Sequence, residues 1–423
     1  MEDKLRLIEI LENARRIGIE IPPVPEWAKG TFFERQAGAF IEVPDVITDD
    51  LTKIFAQNPD LEVFNDRLFY TGYGASRVNY KMLSIWLLWR TLEIGPQKTV
   101  EDLERFTKIE GTPAYQILAI SGIEVDKSIE LGNDISLVPF ASVPESRAKY
   151  KLTRQASIHQ KELMSPFVLS LQHDKSMYPG AALIRKISIS PKSYKQDEDS
   201  PSSTPKMQDL YEVCQCLTLV GPSAPAAIGE WGTVEDWVPL SKLFGCGFSS
   251  LAFNTIASGS SYRFRNEDYE LAKDTVHKYL DLSQTVQSDL RVPLQRLNQS
   301  LRRQSLVDKF IDLAISLEAL LLHECKDKEQ LSLTFRLRGA WLLGKEANER
   351  MEYHNLFRAI YDARSSAVHS GKIDYKKLKK PPQEVFDRGA NACVAIMKHV
   401  IDNRSFPETP DWTKLILDFD EVQ

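Results

Sequence analysis

The chain of 423 residues is longer than one ordinary domain and predicts two or three. Hydrophobic residues make up 43% and charged residues 26%, which is typical of a soluble globular protein. Apolar runs such as Ile85–Trp89 are far shorter than the roughly 20 residues of a membrane helix, and the first residues lack the apolar segment of a signal peptide. We therefore expect a cytoplasmic protein that does not associate with membranes.

Apolar spacing in residues 1–112 predicts a mainly helical region. One helix is predicted over residues 1–18, before a proline-rich break at residues 22–25. A second is predicted from Arg77 to Glu93, ended by Gly95 and Pro96. A third is predicted from about Thr99, as its cap, to Ile109.

Residues 113–285 change to short β-prone runs separated by turn residues. The predicted strands are Gln116–Ile120, Ile123–Val125, Ile135–Val138, Phe167–Leu171 and Ala182–Ile189. The polar stretch Gln196–Pro205 is interpreted as a surface linker, and a helix is predicted from Lys206 to about Leu219. The segment from there to Arg265, which contains Trp231, gives no clear assignment.

After Asn266 the pattern becomes almost wholly helical. The predicted helices are Glu267–Leu282, Val307–His323, Lys328–Leu343 with Asp327 as its cap, Ala347–Val368 and Pro382–Ile401. Short connections between long helices favour an up-and-down bundle. The prediction is therefore an α+β protein, in which a mixed α/β N-terminal region precedes an all-α bundle. Four divisions are predicted: a helical region at 1–112, a strand-containing region at 113–285, the bundle at 286–405 and a tail at 406–423. An open alternative is that the first two form one sensor domain.

Charge is distributed unevenly along the chain. Between Asp289 and Arg404 there are 21 lysines and arginines against 15 aspartates and glutamates, although the whole chain has a net charge of −6. A basic C-terminal domain beside an acidic N-terminal region is typical of an anion-binding module.

The cysteines predict neither a disulfide framework nor a metal site. They are odd in number, scattered and without a CxxC pair, which indicates a reducing compartment. They are Cys214, Cys216, Cys246, Cys325 and Cys393. Cys214 and Cys216 are interpreted as two small buried residues of one helix, and we expect neither a metal ion nor another cofactor.

The pair that suggests chemistry is Arg364 and His369, five residues apart at the end of a predicted helix. On a continuous helix their side chains point about 140° apart, but Gly371 can end the helix and redirect His369. Around a two-fold axis, two such chains would place two arginines and two histidines in one cleft. RNA cleavage needs a group that exchanges protons near neutrality and a fixed cation for the phosphoryl oxygens, which histidine and arginine supply. The alternative is a surface arginine and a histidine that interacts with the helix dipole.

Three blocks around this pair resemble the Apea-like branch of the HEPN superfamily. They are Leu306–Leu321, Leu331–Gly344 and Leu356–Gly371. The resemblance implies an all-helical domain at about residues 288–405, dimeric and often a metal-independent ribonuclease of prokaryotic defence or toxin systems. It assigns the family's catalytic pair to Arg364 and His369, with supporting roles for Ser365 and Tyr361. Many active members carry Asn, Asp or His where this chain has Ser365, although serine is common in this branch.

Lysines that follow the pair suggest a surface for RNA phosphates. Lys372, Lys376 and Lys377 are the predicted RNA-binding residues, and Lys379 and Lys380 continue the run. A second basic stretch contains Arg291, Arg296, Arg302 and Arg303. A solvated charged loop and helix face is the alternative for both stretches. Glu318 lies within an apolar helix, and we expect it to pair with Arg336 or Arg338.

The predicted function is an endoribonuclease that cuts cellular RNA, with tRNA a candidate, as an antiphage or toxin effector. The N-terminal region would restrain it until a phage-derived trigger or a regulatory protein acts. The partners would be RNA and a second copy of the chain. Two alternatives stay open: a non-catalytic HEPN module for dimerisation and RNA binding, and a partner of a separately encoded nucleotidyltransferase.

Overall fold

The computed structural model describes residues 2–18, 45–70, 75–146, 148–153, 178–196, 205–241, 248–250, 261–325, 330–374 and 378–417. Within these residues the chain has the predicted α+β organisation, with a mixed α/β N-terminal region and a helical C-terminal region. The predicted strand Phe167–Leu171, most of the predicted linker Gln196–Pro205 and the proposed cap Asp327 lie outside the described residues.

The N-terminal region packs four helices and a hairpin around one hydrophobic core. Its elements are α1 (Glu2–Arg16), α2 (Asp45–Gln57), a 3-10 turn (Pro59–Phe64), β1 (Arg67–Tyr70), β2 (Ala75–Val78), α3 (Tyr80–Ile94) and α4 (Pro96–Lys108). Two predicted starts were wrong. The helix expected from Arg77 begins at Tyr80, because residues 75–78 pair with β1 and the Asn79 side chain caps the helix. The next helix begins at Pro96, and the Thr99 hydroxyl donates to the Gly95 carbonyl instead of capping.

The middle region is built on a six-stranded sheet with the order β5-β6-β7-β3-β8-β9. Its strands are β3 (Thr112–Ser121), β5 (Ile129–Gly132), β6 (Ile135–Pro139), β7 (Ala181–Ile189), β8 (Ala226–Val234) and β9 (Phe248–Ser250), and the short strands β4 (Ile123–Glu124) and β10 (Tyr262–Arg263) pair with each other. All pairings within the larger sheet are antiparallel. The predicted strands that overlap β3, β4, β6 and β7 are confirmed, whereas β5, β8, β9 and β10 were not predicted. The predicted helix from Lys206 is α5 (Met207–Cys216), followed by a 3-10 turn at Leu217–Leu219.

Alternate residues of the sheet enter two different cores, as the pleat of a strand requires. Leu118 and Leu183 point to the face that packs against α5 and the C-terminal helices. Ile117 and Trp231 point to the other face, where Leu152 from the helical stretch 148–153 joins them. One hydrophobic core therefore continues from the sheet into the C-terminal helices.

The C-terminal region is a bundle of antiparallel neighbours joined by short connections. Its helices are α6 (Asn266–Leu280), α7 (Gln284–Arg302), α8 (Leu306–Leu321), α9 (Leu331–Leu343), α10 (Ala347–Ser370), α11 (Pro382–Asn403) and α12 (Thr409–Leu417). Helix α7, which contains Pro293, had no individual prediction. Helices α8, α9 and α11 pack around α10, and a Cβ on Gly389 would lie 2.7 Å from Ile360 Cδ1. The small residue at position 389 thus lets α11 approach α10 closely.

None of the helices in the described part of the chain combines the length and the apolar character needed to cross a membrane.

Candidate functional site

Helix α10 carries both residues of the predicted catalytic pair. Its buried face consists of Leu356, Phe357, Ile360, Ala363 and Ala367, which recur at helical spacing. The helix runs through Ser370 and ends at Gly371, whose φ of 66° is in the left-handed region that glycine adopts without a steric penalty. The predicted end at Gly371 is confirmed.

Arg364 lies at the edge of the buried face of α10 and contacts Glu318 on α8. Nη2 of Arg364 is 3.5 Å from Oε2 of Glu318, and the two side chains are 33% and 22% exposed. The buried Nε of Arg364 has no hydrogen-bond partner among the described residues. Burial raises the pKa of the Glu318 carboxyl, and the charge of Arg364 opposes that shift. The guanidinium is therefore held from one side, and its remaining donors are not all used within the described chain.

The expected partners of Glu318 were wrong, because both arginines of α9 have other contacts. Arg338 is buried, donates from Nη1 to the carbonyl of Leu321 at 2.8 Å and lies over the ring of Trp412. Arg336 donates from Nε to the carbonyl of Ser332 within its own helix. Arg364 is on the next helix along the chain, and it contacts Glu318 where α10 packs against α8.

His369 lies in the last turn of α10 and is exposed. Because the helix is regular to Ser370, the redirection of His369 expected from Gly371 does not occur. Its side chain points about 140° away from Arg364 and lies about 7.5 Å further along the helix axis. The structure of one chain therefore does not bring the two side chains together.

The expected supporting residues lie on the same helix, Tyr361 one turn before Arg364 and Ser365 directly after it. Ser365 and Tyr361 are half-buried, and the Tyr361 ring packs 5.9 Å from the ring of Phe335 on α9. Val368, next to His369, is an exposed apolar side chain, with 55% of its surface accessible.

His354 is a further histidine of α10, and it was not among the predicted site residues. Partial burial lowers the pKa of His354, and the charges of Arg336 and Arg358 lower it further. Its buried Nδ1 has no hydrogen-bond partner among the described residues. The spacing of four residues between His354 and Arg358 was the available signal, but that spacing is common on helices.

The two predicted basic stretches differ in structure. Lys372 is exposed just beyond α10, Lys376 and Lys377 lie outside the described residues, and Lys379 and Lys380 are exposed before α11. The arginines of the other stretch are engaged within the protein: Arg291 with Glu212, Arg296 and Arg303 with Asp312, and Arg302 with Asn298. These contacts favour a structural role for the second stretch.

Among the described residues, no group of three or more His, Cys, Asp or Glu side chains has the arrangement of a metal site. Comparison of the chain with protein-family models, with curated proteins and with solved structures finds no match.

Proposed function

We propose that the chain is a metal-independent endoribonuclease of the HEPN superfamily, in its Apea-like branch, and that it cuts cellular RNA as a homodimer. The observation that carries the proposal is the placement of Arg364 and His369 on one helix. Arg364 is half-exposed and oriented by Glu318, while His369 is exposed in the last turn of the same helix.

The divergence of the two side chains explains why the proposed enzyme is a dimer. If the ends of two α10 helices meet around a two-fold axis, the histidine of one copy can approach the arginine of the other. The exposed Val368 beside His369 is a suitable apolar contact for such an interface. Ser365 and Tyr361 would then line the cleft between the two helices.

In the proposed reaction the RNA supplies its own nucleophile. A neutral His369 removes the proton of a 2′-hydroxyl as its oxygen attacks the adjacent phosphorus. The bond from phosphorus to the 5′-oxygen breaks, and the 5′-oxygen takes a proton from the protonated histidine of the second copy. The products are a 2′,3′-cyclic phosphate and a free 5′-hydroxyl. Arg364 stabilises the charge on the non-bridging phosphoryl oxygens through charge-assisted hydrogen bonds.

We further propose that the N-terminal region controls this activity in an antiphage or toxin system. The excess of positive charge is confined to the C-terminal region, while the N-terminal region is acidic. The hydrophobic core that joins the sheet to the bundle gives a physical connection through which a trigger bound to the N-terminal region could shift the helices. The trigger would be a phage-derived molecule or a regulatory protein, and tRNA is a candidate substrate.

One contact favours a second candidate function. The ion pair between Arg364 and Glu318 can also serve to link α8 and α10, which is a structural role. In that case the bundle would be a non-catalytic module for dimerisation and RNA binding, or a partner of a separate nucleotidyltransferase.

The discriminating experiment compares RNA cleavage by the purified wild-type chain, Arg364→Ala and His369→Ala, with total tRNA and total RNA in the presence of EDTA. We expect each substitution to lower the cleavage rate by about a hundredfold or more, which is the usual contribution of acid–base and electrostatic catalysis. The matched controls are His277→Ala and Arg16→Ala, which remove exposed side chains from α6 and α1.

Cleavage that persists unchanged in Arg364→Ala and His369→Ala would rule out the proposed site. Cleavage that EDTA abolishes would rule out the metal-independent mechanism. A sizing measurement gives an independent check, because a strict monomer could not assemble the composite cleft.

A further inference from the structure

The outer face of α10 and the start of α11 enclose a cavity of about 700 Å³. This volume lies in the range of small-molecule sites in proteins. Its apolar wall comes from Leu356, Ala359, Leu378 and Val385. The cavity lies away from Arg364, which is on the opposite side of α10, so it is separate from the site proposed above.

Four cationic side chains surround the cavity: Arg358, Lys379, Lys380 and Arg388. Lys379 makes no ion pair with any of the described residues, and its φ of 57° lies in the left-handed region, which is uncommon for lysine. Such backbone conformations are concentrated at functional sites.

The other three cations are held by contacts that an anion could replace at small cost. Nη2 of Arg388 is 3.0 Å from Oε2 of Glu352, and Nζ of Lys380 is 2.6 Å from Oε1 of Glu384. Nε of Arg358 is 3.8 Å from Oδ2 of Asp362. All three pairs are solvent-exposed, and exposed pairs contribute little to stability.

The N-terminus of α11 adds to the positive potential beside Lys379 and Lys380. The helix is 22 residues long and begins after Pro381 without a side-chain cap. Pro382 has no N–H to donate, but no side chain caps the backbone amides of Gln383 and Glu384 in the first turn, and a helix N-terminus favours negative charge.

The polar groups that complete the lining distinguish this cavity from a plain phosphate site. They are Asn355, Glu352 and Asp362. Carboxylates repel a phosphate but accept hydrogen bonds from ribose hydroxyls and from the amino groups of bases. An amide both donates and accepts, and it can therefore pair with a base edge.

We propose that this cavity binds a nucleotide. The base would lie against the apolar wall, the ribose would contact the carboxylates, and the phosphate would be bound by Lys379, Lys380 and the start of α11. The nucleotide has two sources, a free mononucleotide or one unit of an RNA chain. Asp362 and His369 are seven residues apart, so they lie on the same side of α10, separated by about 10 Å along its axis. An RNA strand leaving the cavity in this direction would reach His369.

Direct binding to the full chain tests the proposal. The probes are AMP, GMP, CMP and UMP, titrated by calorimetry, and a fluorescein-labelled RNA hexamer, titrated by anisotropy with the His369→Ala chain so that cleavage does not interfere. The first variant is Lys379→Glu/Lys380→Glu, which reverses the charge at the phosphate position. The second is Ala359→Phe, which fills the apolar part of the cavity and leaves the lysines in place.

We expect each variant to weaken binding by about tenfold or more, because it removes charge-assisted contacts or the space for the base. The matched control Lys81→Glu/Lys273→Glu has the same change in net charge on exposed lysines of α3 and α6, and it should retain binding within about twofold. Thermal unfolding of every variant confirms that it is folded.

Mononucleotide binding with this variant pattern identifies a free nucleotide as the ligand. Binding of the hexamer without binding of any mononucleotide identifies a unit of an RNA chain. The proposal is overturned if neither probe binds at millimolar concentration, or if Lys379→Glu/Lys380→Glu and Ala359→Phe bind as tightly as the wild type. The result is distinguishable from a failure of the nuclease proposal, because binding is measured without cleavage.

Discussion

Oε2 of Glu318 lies 3.5 Å from Nη2 of Arg364, and this contact joins α8 to the helix that carries both proposed catalytic residues. Both side chains are more than half shielded from solvent, so neither charge is fully hydrated. The pair orients a guanidinium that would otherwise sample several rotamers, and it makes the protonation state of Glu318 relevant to the stability of the bundle.

The stability of the chain should depend on pH through Glu318. Burial raises the pKa of this carboxyl in the folded protein above its value in the unfolded chain. At a pH between the unfolded and the folded pKa of Glu318, the folded chain binds more protons than the unfolded chain. The free energy of unfolding therefore rises as pH falls through the folded pKa. Glu318→Gln removes the titration, so the stability of the wild type relative to this variant should increase as pH is lowered from 7.5 to 5.

Urea unfolding at both pH values measures this difference. Glu408→Gln, at an exposed position before α12, is the matched control. The difference in free energy of unfolding between this variant and the wild type should be the same at both pH values. A wild-type advantage over Glu318→Gln that decreases with falling pH would contradict the prediction.

Arg338→Ala should destabilise the protein by about 2–3 kcal/mol. The variant loses a buried hydrogen bond to the Leu321 carbonyl and the packing of the guanidinium over Trp412. Arg336→Ala is the control on the same helix, because Arg336 donates a local hydrogen bond to the Ser332 carbonyl, and the substitution should cost less than about 1 kcal/mol. If urea unfolding shows the same loss of free energy of unfolding for both variants, the buried contacts of Arg338 do not contribute the predicted stability.

Asp312→Asn should lower the free energy of unfolding by about 3 kcal/mol. The side chain of Asp312 is 3% exposed and accepts hydrogen bonds at 2.8 Å from both Arg296 and Arg303. The neutral asparagine leaves Arg296 and Arg303 without the negative charge that they share in the wild type. Asp308→Asn, in the exposed first turn of α8, is the control and should cost well under about 1 kcal/mol. A loss no larger than that of the control would exclude a structural role for the Asp312 pairs.

Gly371→Val should destabilise the end of α10, whereas Gly371→Asn should be nearly neutral. The φ of Gly371 is 66°, a region that costs a β-branched residue about 1–2 kcal/mol and that asparagine tolerates. None of the described residues has a heavy atom within 4 Å of an added Cβ, so the comparison isolates backbone conformation from packing against them. Chemical unfolding of the two variants checks the prediction, and equal stability of Val and Asn would contradict it.

Much of the secondary structure could be predicted because its signals are local. The apolar spacing of α8 and α10 and the β-prone runs of β3 and β7 each occur within one segment, and these elements were predicted near their observed limits. Strand β8 was not assigned because its glycines and alanines give no clear alternation. Helix α7 had no individual prediction; it contains Pro293, a residue type that usually interrupts helices, and the Pro293 carbonyl accepts a hydrogen bond from the buried hydroxyl of Ser316 on α8.

The candidate site was only partly predictable for a different reason. The sequence identified Arg364, His369 and Gly371 as a group, since they lie within eight residues of one another. It did not identify the partner of Glu318: Arg336 or Arg338 of α9 was expected, and spacing along the chain does not show which helix faces Glu318. It also did not indicate the cavity, whose walls come from α10 and from a segment that follows it.

The sequence by itself determined the phase of each helix, because the 3.6-residue period is a local property of the backbone, whereas the structure decided that α10 stays regular through Ser370 and that Arg364 and His369 therefore diverge. The sequence likewise determined the end of α10, since Gly371 tolerates the left-handed conformation there. Only the tertiary structure decided that Glu318 meets Arg364 and that α10 and α11 enclose a cavity beside Lys379. The reason is that such contacts depend on the rotation and offset of one helix against another, which side-chain packing throughout the core decides.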